Sequence, residues 1–332
     1  MPYTKHLQAL RDAFRARGIE CMQNEPMEKH TTFHIGGDVA LAVWPSSRAQ
    51  LIQVLSLWRE IGNTCPICIL GTGSNVLFSD NGYHGLIVIT NHANRIVFEE
   101  DEAHDRETFR HEHIYCQVYA ECGASLTELA DVCGFPDRAL SGLEFAYGIP
   151  GTVGGATVTN AGAYGGDMER VLVASEYYDL NSGEIVQLTD LEMDLDYRHS
   201  IYQDNPRWVL LSIVITLSYG DATDIRRQMD NNMTLRRAKQ PLEYPSAGQV
   251  FKRPVDNFAG RMIEIAGLKG YSIGGAQVSE KHTGFIVNRG GATAKDVIAL
   301  IRFIQDEVEK VYQHRLECEL KIMTDDSEPD QE

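Results

Sequence analysis

Residues 140–166 read LSGLEFAYGIPGTVGGATVTNAGAYGG. Seven glycines fall within the nineteen residues 148–166, against 29 in the whole 332-residue chain. A cluster of that density without low complexity reads as a built loop rather than a linker. Glycine lets backbone N–H groups approach a bulky anion with no Cβ in the way and tolerates positive φ, which is how phosphate-cradling loops are made. The spacing matches neither the G-x-G-x-x-G dinucleotide pattern nor the G-x-x-x-x-G-K-[ST] phosphate loop, so both readings fall. A second reading stays open at this point: the glycines serve only tight turns and close strand packing.

Outward from that stretch, composition bounds the answer. With 332 residues, 43% of them apolar, the chain has material for two or three domains with real cores. No apolar run approaches the length of a membrane span, and residues 1–20 lack the apolar stretch of a signal peptide, which predicts a soluble, cytoplasmic protein. Seven scattered cysteines suit free thiols better than a disulfide framework, and Cys65 and Cys68, a C-x-x-C entering an apolar run, read as buried strand thiols. A net charge of −17 lacks the basic footprint of a nucleic-acid binder. Residues 236–261 nonetheless carry a net +4, from Arg236, Arg237, Lys239, Lys252, Arg253 and Arg261 against Glu243 and Asp256. One basic segment in an acidic chain predicts a site for an anionic small molecule, or else an ordinary solvated basic face.

Periodicity organises the remainder. A capped amphipathic helix opens the chain, and 31–44 (TTFHIGGDVALAVW) alternates like a strand around a Gly-Gly turn. Ser46 and Ser47 cap a helix with apolar Leu51, Val54, Leu55, Trp58 and Ile61, stopped by Gly62. Strand 66–70 then runs into the loop GTGSN, and strand 86–90 completes a β-α-β pattern with its glycine turn where α/β sheets place ligands. The stretch 98–113, rich in Glu, Asp and His, reads as a solvated surface hairpin or insert without metal-ligand spacing. Strand 114–120, a helix capped by Ser125 with Glu128, and strands at 176–180, 185–188 and 208–217 follow. Helix 224–239 breaks at Pro241, a helix begins at Thr293, and 316–322 alternates as a closing strand before the disordered tail 324–332.

Four separated blocks agree on a family: TTFHIGG (31–37), LGTGSNVLFSDNG (70–82), SGLEFAYGIPGTVGG with TNAGAYGG (141–166), and PSAGQVFKRP with GGAQVSEKHTGFIVN (245–288). In that order they resemble the bacterial UDP-N-acetylenolpyruvoylglucosamine reductases, flavoenzymes also called UDP-N-acetylmuramate dehydrogenases, over residues from about 24 to 323. The resemblance implies an α+β fold: an FAD-binding portion of the vanillyl-alcohol-oxidase (PCMH) type, made of two subdomains, plus a C-terminal α+β substrate-binding domain. The implied division is an N-terminal helix in 1–22, the FAD-binding portion in 23–222 (subdomains about 23–95 and 96–222), and the substrate domain in 223–323. The short step from Pro254 to Ile263 matches the compact form of the family.

The same resemblance implies the chemistry and its residues. The loop Gly71, Thr72, Gly73, Ser74 and Asn75, with Gly151, Thr152, Gly154 and Gly155, is expected to cradle the pyrophosphate of a non-covalent FAD. Asn160, Gly162, Ala163 and Tyr164 are expected to line the flavin. Tyr197-Arg198-His199-Ser200 matches the family's Y-R-x-S, whose arginine faces the substrate carboxylate, while Tyr197, Lys239 and Lys252 stand where the nucleotide sugar is held. Glu319 matches a carboxylate near the end of the final strand, although from spacing alone it is a solvent-facing strand residue. NADPH is the implied co-substrate and UDP-N-acetylglucosamine enolpyruvate the substrate, in peptidoglycan precursor synthesis, by a cytoplasmic monomer without metal, nucleic acid or membrane. The departure is Gln249, where the family carries the serine that protonates C2; Ser246 does not replace it, and an amide is far too weak an acid. His34 and Thr159 depart from a usual Arg and Met. The competing expectation is a protein that binds FAD and the UDP-sugar but is impaired in turnover.

Overall fold

A computed structural model of the chain describes residues 3–101, 103 and 105–323; the tail 324–332, expected to be disordered, lies outside the described residues. Helix α1 (Thr4–Ala16) buries Leu7, Leu10 and Phe14 on one face. Its expected cap is absent: Tyr3 holds the N-cap position with no side-chain bond, so packing rather than capping fixes this helix.

The first sheet runs in the order Glu20–Met22, Asp38–Trp44, Tyr83–Ile89, Ile67–Leu70, its last three strands parallel. Between them α2 (Arg48–Leu57) starts where Ser47 Oγ accepts the Gln50 N–H at 3.3 Å. It runs on through a π-helical turn, Trp58–Gly62, whose glycine lets Leu10 of α1 pack closely, since a Cβ there would stand 2.4 Å from Leu10 Cδ1. The expected strand over 31–44 begins only at Asp38. Positive φ at His34 and Gly36 bends 31–37 into a loop, and its alternating Phe33 and Ile35 face a different core, that of the C-terminal lobe.

The stretch 98–113 is not a plain solvated loop. It holds α3 (Arg106–Glu112) and is anchored by Glu100, fully buried between Arg110 (2.7 Å) and Arg138 (2.9 Å) with the Tyr219 hydroxyl donating at 2.8 Å. A buried carboxylate is tolerable only when so completely paired. After it, α4 (Leu126–Cys133) is capped by Ser125, whose side chain accepts the Glu128 N–H, as the sequence predicts, without the reciprocal Glu128 bond of the expected capping box. The second sheet is antiparallel throughout its main path: Ile185–Thr189, Leu172–Asp179, Trp208–Tyr219, Tyr115–Glu121, Ile96–Phe98. The short helices α5 (Val153–Val158) and α6 (Ile201–Asp204) pack beside it, and α7 (Ala222–Lys239) contributes Ile225 and Met229 to the same core.

The C-terminal lobe is a four-stranded antiparallel sheet, Ser246–Gln249, Phe285–Asn288, Ala276–Val278, Ser272–Ile273, backed by α8 (Ala259–Ile265) and α9 (Ala294–Tyr312). Helix α9 carries the full capping box on Thr293 and Asp296 and buries Val297, Leu300, Ile301, Ile304 and Val308. The predicted closing strand over 316–322 is corrected: 316–320 crosses between lobes, touching Phe251 through an isolated bridge at Cys318, and only Lys321–Met323 is strand. That strand pairs in parallel with Val76–Phe78, a three-residue strand too short to be read from sequence. All seven cysteines are free; the reading of Cys65 and Cys68 as buried strand thiols holds only in part, because Cys65 is buried just ahead of the strand Ile67–Leu70, where burial raises its thiol, and Cys68 lies in that strand but is only partly buried. Among the described residues no helix is long and apolar enough to cross a membrane.

Candidate functional site

The four sequence blocks meet at one place. Thr32 donates its N–H to the Gly73 carbonyl at 3.1 Å and its hydroxyl to the Ser246 carbonyl at 2.7 Å, and the Ser246 N–H returns to Thr32 at 3.1 Å. Asn288 reaches the Phe33 carbonyl at 3.2 Å. Asn75 donates to the Glu319 carbonyl at 3.3 Å and accepts the Lys321 N–H at 3.2 Å. Loop 71–75 is thereby clamped between the other blocks, and its glycines sit where a Cβ would clash. A Cβ on Gly73, whose φ is +64°, would stand 2.2 Å from the His30 carbonyl oxygen, and one on Gly71 would stand 2.4 Å from Thr152 Oγ1. Thr152 in turn caps α5 through the Gly155 N–H at 3.3 Å, and Gly151 faces the Ser74 side chain.

Arg198 is held at φ +56° on a turn tied down by side chains that donate to backbone carbonyls. Gln203 donates to the carbonyls of Arg198 and Val158, both at 2.9 Å, and Ser200 donates to Val158 at 2.7 Å. The guanidinium donates to the carbonyls of Asn160 (3.4 Å) and Gly162 (3.2 Å), bringing it onto the glycine-rich segment. Buried Asn160 ties that segment to the same turn by donating to the Asp196 carbonyl at 3.0 Å. Arg198 Nε stands 3.1 Å from Glu319 Oε1, yet its N–H is not directed at that oxygen and has no hydrogen-bond partner, so the pair is a charge contact with donor capacity to spare. Burial raises the Glu319 pKa above the usual carboxylate value, against the opposing pull of Arg198 and Lys252. The sequence-only view of Glu319 as solvent-facing is therefore corrected: the lobe crossing half-buries it under a guanidinium from another segment.

Gln249 sits one residue from that pair. The Glu319 N–H donates to the Val250 carbonyl at 2.8 Å, and Gln249 itself is exposed at an irregularity in its strand, after Gly248 at φ +79°. The Tyr197 hydroxyl accepts the Arg253 N–H at 3.3 Å, bridging the turn to the C-terminal lobe. Lys252 pairs with Glu317 and acts electrostatically on Glu319. Lys239, exposed at the end of α7, is not brought onto the Arg198–Glu319 pair; the group it acts on is His282, whose pKa burial lowers and Lys239 lowers further. The turn also gathers Asp194, His199 and Asp204, with ligand atoms within 4.8 Å of one another; two are exposed acids, and the trio reads as a brace for the turn. A cavity of about 450 Å³ opens beside Tyr164 and Gly166 with Gln228 of α7 in its wall, and none of Arg198, Gln249 or Glu319 lines it.

The residues present fit a phosphate-bearing nucleotide. Thr72 Oγ1 is buried with no partner, as are Arg198 Nε and two nitrogens of Arg236, a donor surplus that an anionic group rich in acceptor oxygens satisfies. Loops 71–75 and 151–155 approach each other as closely as glycine allows.

Comparison with known proteins agrees. An FAD binding domain family matches residues 39–189, and the UDP-N-acetylenolpyruvoylglucosamine reductase C-terminal domain family matches 240–323. The chain is 43% identical over 300 residues to the UDP-N-acetylenolpyruvoylglucosamine reductase of Caldanaerobacter subterraneus subsp. tengcongensis, covering 90% of this chain and 92% of that one. It is 41% identical over 302 residues to the enzyme of that name from Geobacillus kaustophilus, covering 91% and 92%. The crystal structure of the reductase from Thermus caldophilus superposes with a TM-score of 0.71 at 29% identity, over 92% of this chain and 99% of that one. With an FAD binding domain ahead of the characteristic C-terminal domain and such identity along nearly its whole length, the chain belongs to the UDP-N-acetylenolpyruvoylglucosamine reductase family.

Proposed function

We propose that the chain reduces the enolpyruvyl group of UDP-N-acetylglucosamine enolpyruvate to the lactyl ether of UDP-N-acetylmuramate at the expense of NADPH. The observation that carries the reading is the Arg198–Glu319 contact, 3.1 Å across two lobes and beside the glycine-rich segment. FAD held by 71–75, 151–155 and 160–164 supplies two-electron chemistry between NADPH and the enolpyruvyl double bond. The protein's own residues do the remainder. Arg198 pairs with the substrate carboxylate, since a planar guanidinium matches a carboxylate bidentately and its position is fixed before charge develops at C2. Glu319, whose carboxyl burial makes a weaker acid than usual, is placed to donate a hydrogen bond to that developing charge when it carries its proton. Tyr197, Lys239 and Lys252 hold the nucleotide sugar. C2 must gain a proton, and Gln249 holds none acidic enough to give, so water or Glu319 supplies it at reduced rate.

The test is NADPH oxidation by the purified protein with and without the enolpyruvyl substrate, in wild type and Arg198→Ala. Oxidation that depends on substrate, with turnover in Arg198→Ala lowered far more than nucleotide affinity, supports the reading. Substrate-independent oxidation, or a variant altered in KM alone, overturns it.

A further inference from the structure

Arg236, on the last turn of α7, is 5% exposed. A guanidinium has five N–H donors, and here one recorded bond engages them, from Nη1 to Gln240 Oε1 at 3.3 Å. Nε and Nη2 are sealed from solvent and unpartnered. Arg110 and Arg138 show how this fold otherwise treats half-buried arginines: both are turned onto the Glu100 carboxylate. Around Arg236 no ion pair occurs among the described residues, and the titratable neighbour is Tyr164, its ring centroid 5.4 Å from Cζ. Compensation of the helix C-terminus does not explain the burial, because Arg237 and Lys239 serve that end from exposed positions.

The location supplies the ligand. A Cβ on Gly148 would stand 3.3 Å from Arg236 Nε, so the guanidinium lies against the backbone that leads through Pro150 into Gly151. Tyr164 closes the segment 160–164, so both neighbours belong to the glycine-rich stretch. We propose that Arg236 is a cofactor-binding residue whose fork pairs with phosphate oxygens of bound FAD, beside the glycine cradle. This rests on the FAD reading above. The alternative source of the same chemistry is the diphosphate of the UDP-sugar, since Lys239 is one turn away; contact with Gly148 and Tyr164 favours FAD. Planarity and several parallel donors suit a phosphate better than a point charge would.

The experiment uses the full chain, stripped of flavin under mild denaturation and refolded, as wild type, Arg236→Met and Arg236→Lys. FAD, riboflavin and UDP are titrated into each, and the thermal midpoint of each flavin-free chain is recorded. Loss of charge-assisted bonds is expected to raise the FAD dissociation constant about ten- to a hundredfold in Arg236→Met, with Arg236→Lys between. Riboflavin and UDP affinities stay unchanged, and flavin-free Arg236→Met melts no lower than flavin-free wild type because an orphaned buried charge is gone. An unchanged FAD constant overturns the proposal. Equal losses for FAD and riboflavin overturn it by placing the guanidinium on the ring, and a loss confined to UDP overturns it in favour of the substrate. Should Arg236→Met not fold, Arg236→Gln carries the same comparison. Wild type that takes up no FAD refutes the FAD reading itself.

Discussion

Gly71→Ala tests the clamp between the two glycine loops, and its cost can be worked from contacts. The backbone at Gly71 is not in the positive-φ region, so alanine adds sterics and no conformational strain. Its Cβ would meet Thr152 Oγ1 at 2.4 Å, Cγ2 at 2.9 Å and Cβ at 3.2 Å. Thr152 is 3% exposed and β-branched, so it cannot swing away. Displacing it breaks the α5 cap, worth about 0.5–2 kcal/mol, and overpacks the seam, worth about 1–3 kcal/mol. Restricting the unfolded chain returns about 0.4–1 kcal/mol, leaving a net loss of about 0.5–4.6 kcal/mol. Thr152→Ala alone loses the cap, about 1 kcal/mol. In the double variant the nearest of these contacts retreats to 3.2 Å, so the cap is lost once and most of the clash is gone. Equilibrium urea denaturation of the four flavin-free chains should therefore give a double variant less destabilised than the sum of the singles by about 1 kcal/mol or more. Strict additivity would mean that the two loops do not touch as described, and the cradle argument would fall with it.

Glu319→Gln reads the raised carboxylate pKa. The folded chain binds that proton more tightly than the unfolded chain, so the group's stabilising contribution is complete below its ordinary pKa and is lost as pH rises through the raised value. The thermal midpoint of Glu319→Gln minus that of wild type should grow from about pH 4 to 7, and a flat or falling difference would contradict the burial argument. Gln249→Ser puts back the hydroxyl that the family carries at this position; substrate-dependent NADPH oxidation should rise by about a hundredfold, the lower end for a general acid. Equal rates in wild type and Gln249→Ser would show that the proton comes from another group.

What the sequence discloses about this fold divides along a physical line. Helices α2, α4 and α9 are legible because their signals are local: Ser47, Ser125 and Thr293 accept N–H groups three residues on, and their apolar residues recur at helical spacing. The strand Val76–Phe78 and the closing segment are not, because they exist only through pairing with each other across most of the chain. Alternation in 31–37 is real, yet its buried Phe33 and Ile35 face the C-terminal lobe rather than the sheet that follows them, while in 316–322 the buried Leu316 and Leu320 join the C-terminal core from outside any strand. Glu100 is hidden for a related reason: the acidic stretch 98–113 around it reads as solvated, while its partners Arg138 and Tyr219 lie in other elements.

The site follows the same rule in sharper form. Residue by residue its members look bland, and only the order of four separated blocks made them legible as one site. What joins them is backbone geometry that side-chain patterns do not encode. Of nine non-glycine residues at positive φ among the described residues, His34, Asn160, Tyr164 and Arg198 lie on the converging segments. Each such residue costs of order 1–3 kcal/mol and persists only where its surroundings over-determine it. Here the surroundings do so visibly, with Asn160 bonded to Asp196 and Glu169, and Arg198 fixed through Gln203 and the Asn160 and Gly162 carbonyls. The strain is concentrated where loops from different lobes must present donors to one ligand, and the same segments hold the unpartnered Arg198 Nε and border that of Arg236. Local rules fail there because the sequence is specified for the complex with the cofactor, and the free chain alone does not satisfy its own polar groups.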